Sequence, residues 1–427
     1  MLDIKLIRET PSLVRENLKR RNDPEKLKLL EELVKVDAQW RKLQSEINSM
    51  RQIRNQLSVS IAKLKKTGKT AKKELTQAKK VDTTIGKNDA KLSELEIKEK
   101  SLLMGIPNIL HESVPLGKDD TDNVEIRKWG TPPKFDFQPK DHLTILENLG
   151  LIDIERGAKV AGERFYYMND ELVFLDIALQ KFALDVLRKK GFTIISPPLM
   201  IRKKPYEGVI DLTDFQQVTY KIENEDAYMI ATSEHPMVVM FMDEILDATK
   251  FPIMFGGVSP CFRKEVGAHG KYTKGLYRMH HFNKVEQLVF SLPEQSWKLH
   301  EELQRNSELL YQSLGLHYRV VNVCTGDIGS IAAKKYDTEF WMSDGQFREM
   351  GSNSNCTDYQ ARRLGIRYKE GEGKPVKGFV HTLNNTALAT SRTMIAIIEQ
   401  FQQKDGSVII PKVLRPYMFG IEKLEKK

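Results

Sequence analysis

The sequence predicts an α+β protein: an N-terminal antiparallel α-helical coiled-coil hairpin, then a core with a mainly antiparallel β-sheet flanked by helices. Three observations predict it. Apolar residues recur at alternating steps of four and three across residues 29–64, the period of a coiled-coil seam. Residues 259–290 read as two apolar strands around a polar loop, an antiparallel hairpin. No βαβ rhythm, GxGxxG or GxxxxGK(S/T) signature runs through the chain, so neither common phosphate-loop fold is supported.

The seam reads Leu29, Leu33, Val36, Trp40, Leu43, Ile47, Met50, Arg54, Leu57, Ile61, Leu64, with Arg54 its one polar position. At 1.5 Å per residue that helix would be about 54 Å long. Thr67-Gly68-Lys69-Thr70 is a turn signal. A returning seam follows in Val81, Ile85, Asn88, Leu92, Leu95, Glu99 and Leu102, weakened at Asn88 and Glu99. Two helices joined by a short loop pack antiparallel. The expected tip carries eight lysines (Lys63, Lys65, Lys66, Lys69, Lys72, Lys73, Lys79, Lys80) against Glu74 alone. A lysine run is commonly just a solvated helix end. Here the lysines sit far from any core, which favours an arm for a polyanion, with sequence-blind, salt-sensitive phosphate contacts suited to RNA shape. Residues 1–103 are therefore expected to form an RNA-binding domain.

From Met104 the composition changes. Prolines 107, 115, 132, 133 and 139 and the acidic patch Asp119-Asp120-Thr121-Asp122 predict an ordered linker over 104–139, leaving 140–427 as the core. Leu172–Leu187 has helical apolar periodicity, and Phe192–Met200 is a strand interrupted near its end by Pro197 and Pro198. In the 259–290 hairpin, Arg263 and Glu265 stand two apart on the first strand, so both side chains share a face. Gly267, Gly270, Lys271, Lys274 and Gly275 make the loop, and the second strand carries Phe282 and Glu286. A guanidinium for phosphate, an acceptor for an exocyclic amine and a ring for a base are what a nucleotide needs. On residues alone, a charged antiparallel hairpin is more often only a solvated sheet face.

The 427 residues have room for a large core and an appendage. Lysine plus arginine is 67 against 58 acidic residues, a formal charge of +9 that suits a polyanionic partner. Cys261, Cys324 and Cys356 form no CxxC pair, which argues against a disulfide framework or zinc knuckle and for buried small residues. No 18-residue apolar run occurs and MLDIKLIRET lacks a signal-peptide core, so a soluble, cytoplasmic chain without a membrane partner is expected.

The wording of the hairpin, FR-x-E before a long loop and a His-Phe-x-Lys-Val-Glu strand, resembles motif 2 of the class II aminoacyl-tRNA synthetases in its seryl form. Four further stretches are similar to the seryl-tRNA synthetase family. GFTIISPPLM (191–200) resembles motif 1, whose family role is the dimer interface, with Pro198 at its proline. Thr232-Ser233-Glu234 resembles the serine-binding loop. The block from Cys324 to Arg367 resembles the family's most distinctive stretch, and HTLNNTALATSR (381–392) resembles motif 3, ending on Arg392. The resemblance spans the whole chain. Its motif 2 wording, EVGAHGKYTKG, is nearest to archaeal and eukaryotic members. Asn385, Ala387 and Ser391 stand where many bacterial members carry glycine, and Gly351 where many carry serine. The family's zinc-dependent variant, which lacks this arm, does not match.

The resemblance implies a class II core, a homodimer, and a serine–tRNA ligase using L-serine, ATP and Mg2+, with no zinc. Its acceptor would be tRNA(Ser), with tRNA(Sec) left open. It implies catalytic roles for Arg263, Glu349 and Arg392, and ATP contacts from Arg263, Lys264, Glu265, Met279 (by its backbone), Phe282, Glu349, Met350, Gly351, Ser352 and Arg392. Glu349 and Ser352 would hold Mg2+. Thr232, Ser233, Glu234, Arg263, Glu286, Asn384 and Thr386 would bind serine, and the eight tip lysines tRNA. No general base is assigned; His269, His280, His281 and His381 are expected to be structural. Two rivals are a silent paralogue acting as an RNA-binding scaffold, marked by loss of Arg263, Glu286, Glu349 or Arg392, and a carrier-protein ligase, marked by loss of the arm. All four residues and the arm are present.

Overall fold

The computed structural model describes residues 1–210, 215–265 and 275–426. It comprises two compact units, Met1–Pro107 and Asn108–Lys427. The first is helical. After two short helices, α1 runs Pro24–Lys66 and α2 runs Lys72–Gly105. Asp23 caps α1 by accepting from the Lys26 N–H, and Pro24 opens it, so the helix begins ahead of the apolar seam. Its 43 residues make it about 65 Å long, longer than the seam alone suggests.

Every position of both expected seams is buried or half-buried. The polar interruptions have partners. Arg54 lies 3.9 Å from Asp82 and Asn88 Nδ2 4.0 Å from Met50 Sδ. Glu99 lies 4.0 Å from Arg8, which bonds the buried Asp37. Arg51 pairs with Asp89 at 3.1 Å and Glu32 with Lys98 at 2.7 Å, so partner numbers fall on α2 as they rise on α1: the helices are antiparallel. All eight tip lysines are exposed.

The second unit is built on an eight-stranded sheet. Its strands are β1 (Val124–Trp129), β2 (Thr193–Ile195), β3 (Ile253–Phe262), β4 (His281–Ser291), β5 (Tyr318–Asn322), β6 (Lys334–Trp341), β7 (Phe347–Asn355) and β8 (His381–Ala389). Their order is β1-β5-β6-β7-β8-β4-β3-β2, antiparallel except for β2 against β3. Helices α3 (Glu171–Lys189), α4 (Ser296–Leu314) and α5 (Thr390–Gln400) complete the main framework. Leu175, Leu179, Leu303, Leu310, Ile395 and Ile398 pack with Val285, Val289, Leu383 and Leu388 of the sheet in one apolar core.

Strand periodicity decides which face is left for a ligand. On β4, Asn283 reaches Asp176 of α3 at 2.8 Å and Gln287 reaches Ser307 of α4 at 3.1 Å. Phe282, Lys284 and Glu286 therefore emerge on the opposite face. The helix side is polar at its centre: Asn385 Nδ2 donates to the Leu303 carbonyl at 2.7 Å and to Ser307 Oγ at 2.9 Å, and Ser307 Oγ donates to the Thr386 carbonyl at 3.0 Å. These bonds hold β8 beside a register shift between Thr386 and Leu388.

Two expectations change. Arg263 and Glu265 do not ride on the strand: β3 stops at Phe262, and Glu265 turns the chain at φ 48°. The ladder runs out where Phe262 pairs with His281, and the Arg263 N–H closes it onto the His280 carbonyl at 3.0 Å. The stretch read as a linker also supplies β1, the edge strand, which pairs antiparallel with β5 from Val124 opposite Asn322 to Trp129 opposite Tyr318, with a bulge at Ile126. Loop residues Gly267, Gly270, Lys271 and Lys274, and His269, lie outside the described residues. Among those described, no helix is long and apolar enough to cross a membrane, and all three cysteines are buried and free.

Candidate active site

The three central strands β7, β8 and β4 set side chains of alternate residues next to one another. Thr386 pairs with Glu286 across β8 and β4, and Asn384 with Ser354 across β8 and β7. Above them is a cavity of about 530 Å³, within the range that holds a nucleotide-sized ligand. It is lined by Thr232, Glu234, Arg263, Glu265, Phe282, Glu286, Glu349, Met350, Gly351, Ser352, Asn384, Thr386 and Arg392, all singled out from sequence.

One end is a buried polar cluster. Glu234, at the start of the short helix Glu234–Val239, accepts from Asn384 Nδ2 at 3.1 Å and Gln360 Nε2 at 3.2 Å. Burial, reinforced by neighbouring Glu286, pushes its carboxyl up to about 7. Glu286 pairs with Lys284 at 2.5 Å and accepts from Thr386 Oγ1 at 3.3 Å. The Thr386 side chain is fixed from the side by a close approach: a Cβ at Gly351 would lie 2.8 Å from Thr386 Cβ. Glycine here makes room for threonine there.

The other end is a charged cleft. Arg263 Nε donates to the Ala231 carbonyl at 3.1 Å, and its guanidinium stands 5.3 Å from the Phe282 ring. Arg278 pairs with Glu265 at 3.0 Å. Arg392, 4.9 Å from the Tyr277 ring, holds the Glu349 carbonyl at 3.0 Å and approaches its carboxylate at 3.4 Å. The Glu349 side chain is 46% exposed; desolvation within the cleft opposes its ionisation, but Arg392, Lys335 and Arg263 outweigh it and hold the carboxyl below its usual range. Ser352 Oγ lies 3.4 Å from Glu349 Oε1. An ionised carboxylate beside a hydroxyl is a hard-oxygen donor set that fits Mg2+. Among the described residues there is no cluster of three or more histidine, cysteine, aspartate or glutamate residues placed to hold a metal.

Two expected side chains are elsewhere, Ser233 and Lys264. Ser233 is fully buried, its Oγ 3.5 Å from the Gly257 carbonyl, because the turn into the short helix points it under β3. Lys264 extends over the Tyr220 ring at 5.9 Å. The Met279 side chain belongs to the apolar core, so only its backbone is available to a base. His280 lies 2.9 Å from the Arg263 carbonyl and 2.6 Å from Tyr220 Oη, and His381 is 2.9 Å from Ser296 Oγ. Sequence reasoning gives no site role to Lys284, Arg278, Ser354, Cys356, His235 or the loop 328–332, all of which line the cavity. Lys284 was findable, since it lies between Phe282 and Glu286 at strand spacing. His235 is held neutral, burial lowering it to about 3, and its ring lies tilted at 60° to that of Tyr206, 5.0 Å between centroids.

Comparisons with known proteins agree along the whole chain. Residues 1–110 match the family described as the seryl-tRNA synthetase N-terminal domain, and residues 218–401 match the tRNA synthetase class II core domain of the G, H, P, S and T enzymes. A serine–tRNA ligase of Methanocella arvoryzae is 50% identical, over 99% of this chain and 100% of its own length. The crystal structure of seryl-tRNA synthetase from Pyrococcus horikoshii complexed with ATP is 47% identical, with TM-score 0.97 and 100% of both chains covered. The cytoplasmic serine–tRNA ligase of Naegleria fowleri in complex with AMP is 37% identical, with TM-score 0.90 over 100% of this chain and 99% of that one.

Proposed function

The chain belongs to the seryl-tRNA synthetase family, and from that premise we propose how its residues divide the work of a serine–tRNA ligase. The enzyme activates L-serine with ATP and transfers the seryl group to tRNA. The convergence of Glu234, Glu286, Asn384 and Thr386 beside Arg263 in one cavity carries the assignment of sites.

In the first step a serine carboxylate oxygen attacks the α-phosphorus of ATP. A bond from that oxygen to phosphorus forms, the Pα–O–Pβ bond breaks, and diphosphate leaves. Two anions must meet, so the barrier is largely electrostatic. Arg263, anchored through Nε on Ala231, presents its guanidinium to both the carboxylate and the α-phosphate. Phe282 and the Met279 backbone receive the adenine, Glu265 with Arg278 borders it, and Arg392 holds the triphosphate end. Glu349 and Ser352 would ligate Mg2+, which when bound neutralises phosphate charge. Glu286 and Glu234 take the serine ammonium; Thr386 and Asn384 meet its hydroxyl. Positioning supplies the rate, and no general base is needed. In the second step a hydroxyl of the tRNA terminal ribose attacks the seryl carbonyl carbon and AMP leaves.

The exposed lysines at the tip of the α1–α2 hairpin would grip tRNA(Ser) phosphates, and tRNA(Sec) is the second acceptor to assay. Two copies would associate through the 191–200 segment, where Leu199 and Met200 are exposed, and act in the cytoplasm. Serine-dependent ATP–diphosphate exchange, then charging of each tRNA, tests the whole reading. Exchange without charging would leave a carrier ligase; neither would leave a scaffold.

A further inference from the structure

One wall of the cavity, Ile328–Ala332, belongs to neither a helix nor a strand. Backbone outside regular structure needs partners from elsewhere to hold a position. Several of them come from one stretch at the start of the second unit. The Asn108 N–H donates to the Ser330 carbonyl at 2.8 Å and the His111 N–H to the Ala333 carbonyl at 2.9 Å. Leu110 and Val114 pack against Ile328 and Ala332 in a small separate apolar cluster.

The Asn108 carboxamide does more than brace this loop. Its Nδ2 donates to the Ile331 carbonyl at 2.9 Å and to the Cys356 carbonyl at 2.8 Å, and lies 3.1 Å from Thr357 Oγ1. Its Oδ1 accepts from the Ile109 N–H at 2.9 Å. Asn108 is buried, so its bonds are not exchanged for water. Ile331 and Cys356 both line the cavity, at the ends of segments separated in sequence. Cys356 leads on to the serine cluster: Asn384 Nδ2 lies 3.8 Å from its Sγ and bonds Glu234. The next residue, Thr357, has φ 49°, a left-handed conformation that its surroundings must hold in place.

We propose that Asn108 is a positioning residue for serine activation: one carboxamide ties the Ser330–Ile331 wall to the Cys356 backbone and so sets the width of the serine end of the cavity. The proposal rests on the functional reading above. Its test uses the full-length enzyme and ATP–diphosphate exchange with separate KM values for serine and ATP, alongside the melting temperature. Asn108→Asp keeps the shape and the Oδ1 acceptor but removes both Nδ2 bonds and faces two carbonyls with charge. Asn108→Ala removes the side chain. Serine KM should rise about tenfold or more in both, with ATP KM within about twofold, the usual scale for small misplacements of a binding wall. A serine KM unchanged in a folded variant, or rising in step with ATP KM, would overturn it. Should the alanine variant not fold, the aspartate variant decides. If the wild-type enzyme itself shows no serine-dependent exchange, the functional reading fails instead. Amide hydrogen exchange at residues 333 and 356 still reads the positioning role: faster exchange in Asn108→Asp supports it and unchanged exchange overturns it.

Discussion

At the scale of single residues, the site depends on where charge is stabilised and where it is suppressed. Arg263→Ala should slow serine-dependent exchange by about 100-fold or more, the loss expected for one preorganised transition-state contact, with the fold intact by circular dichroism. Near-normal exchange would remove Arg263 from the chemistry. Thr386→Val keeps the shape beside Gly351 but deletes the hydroxyl that bonds Glu286. Discrimination of serine over alanine, as a ratio of kcat/KM values, should fall about tenfold because the partner left in the pocket is no longer satisfied. Glu234 gives a pH signature. Its folded carboxyl titrates at about 7, above the ordinary 4.5, through burial first and Glu286 second. Between those values the folded state keeps a proton that the unfolded chain has lost, so this group's contribution to stability falls as pH rises from 4.5 to 7. Glu234→Gln should therefore melt higher than wild type at about pH 8, with the difference shrinking towards about pH 5. A constant difference across that range would contradict the burial argument.

Among the elements, the helical hairpin makes the clearest claim. Its seam stabilises the two helices, while the tip lysines are exposed and contribute nothing to packing. Changing Lys65, Lys69, Lys72 and Lys79 to glutamine should leave helix content unchanged and weaken tRNA binding. The salt dependence should flatten by about 0.7–0.9 in log–log slope for each phosphate no longer neutralised. An unaltered slope in a filter-binding titration would make the run a solvated helix end. The sheet makes a different claim, since its helix side is polar where its cavity side is functional. Ser307, Gln287 and Asn385 are joined by hydrogen bonds through the Ser307 hydroxyl, which also holds the Thr386 carbonyl, so α4 fixes the strand from which Thr386 projects.

At the scale of the whole molecule, the two units each carry their own packing, the first in the helical seam and the second in the core around the sheet. Removing residues 30–97 and bridging the gap with a short Gly/Ser link should leave serine activation within about threefold of wild type, as expected where distant sites act independently. Charging of tRNA should fall steeply. Both rates compared on one preparation check this: equal losses would mean that activation needs the hairpin.

The sequence by itself determined the coiled-coil hairpin, the antiparallel hairpin of β3 and β4, and most of the cavity's charged lining. Seams and strands are written in short periods, and the charged residues lie in contiguous motifs. Tertiary structure alone decided three things. It decided that Ser233 and Lys264 turn away from the cavity, since a one-residue rotation at a helix start or past a strand end leaves no periodic trace. It decided that the apparent linker contributes β1 and the brace at Asn108, whose partners lie far along the chain at Ile331 and Cys356. And it decided that Gly351 and Thr386 fit only as a pair, because a close approach between neighbouring strands depends on their register, and register is set by the whole sheet.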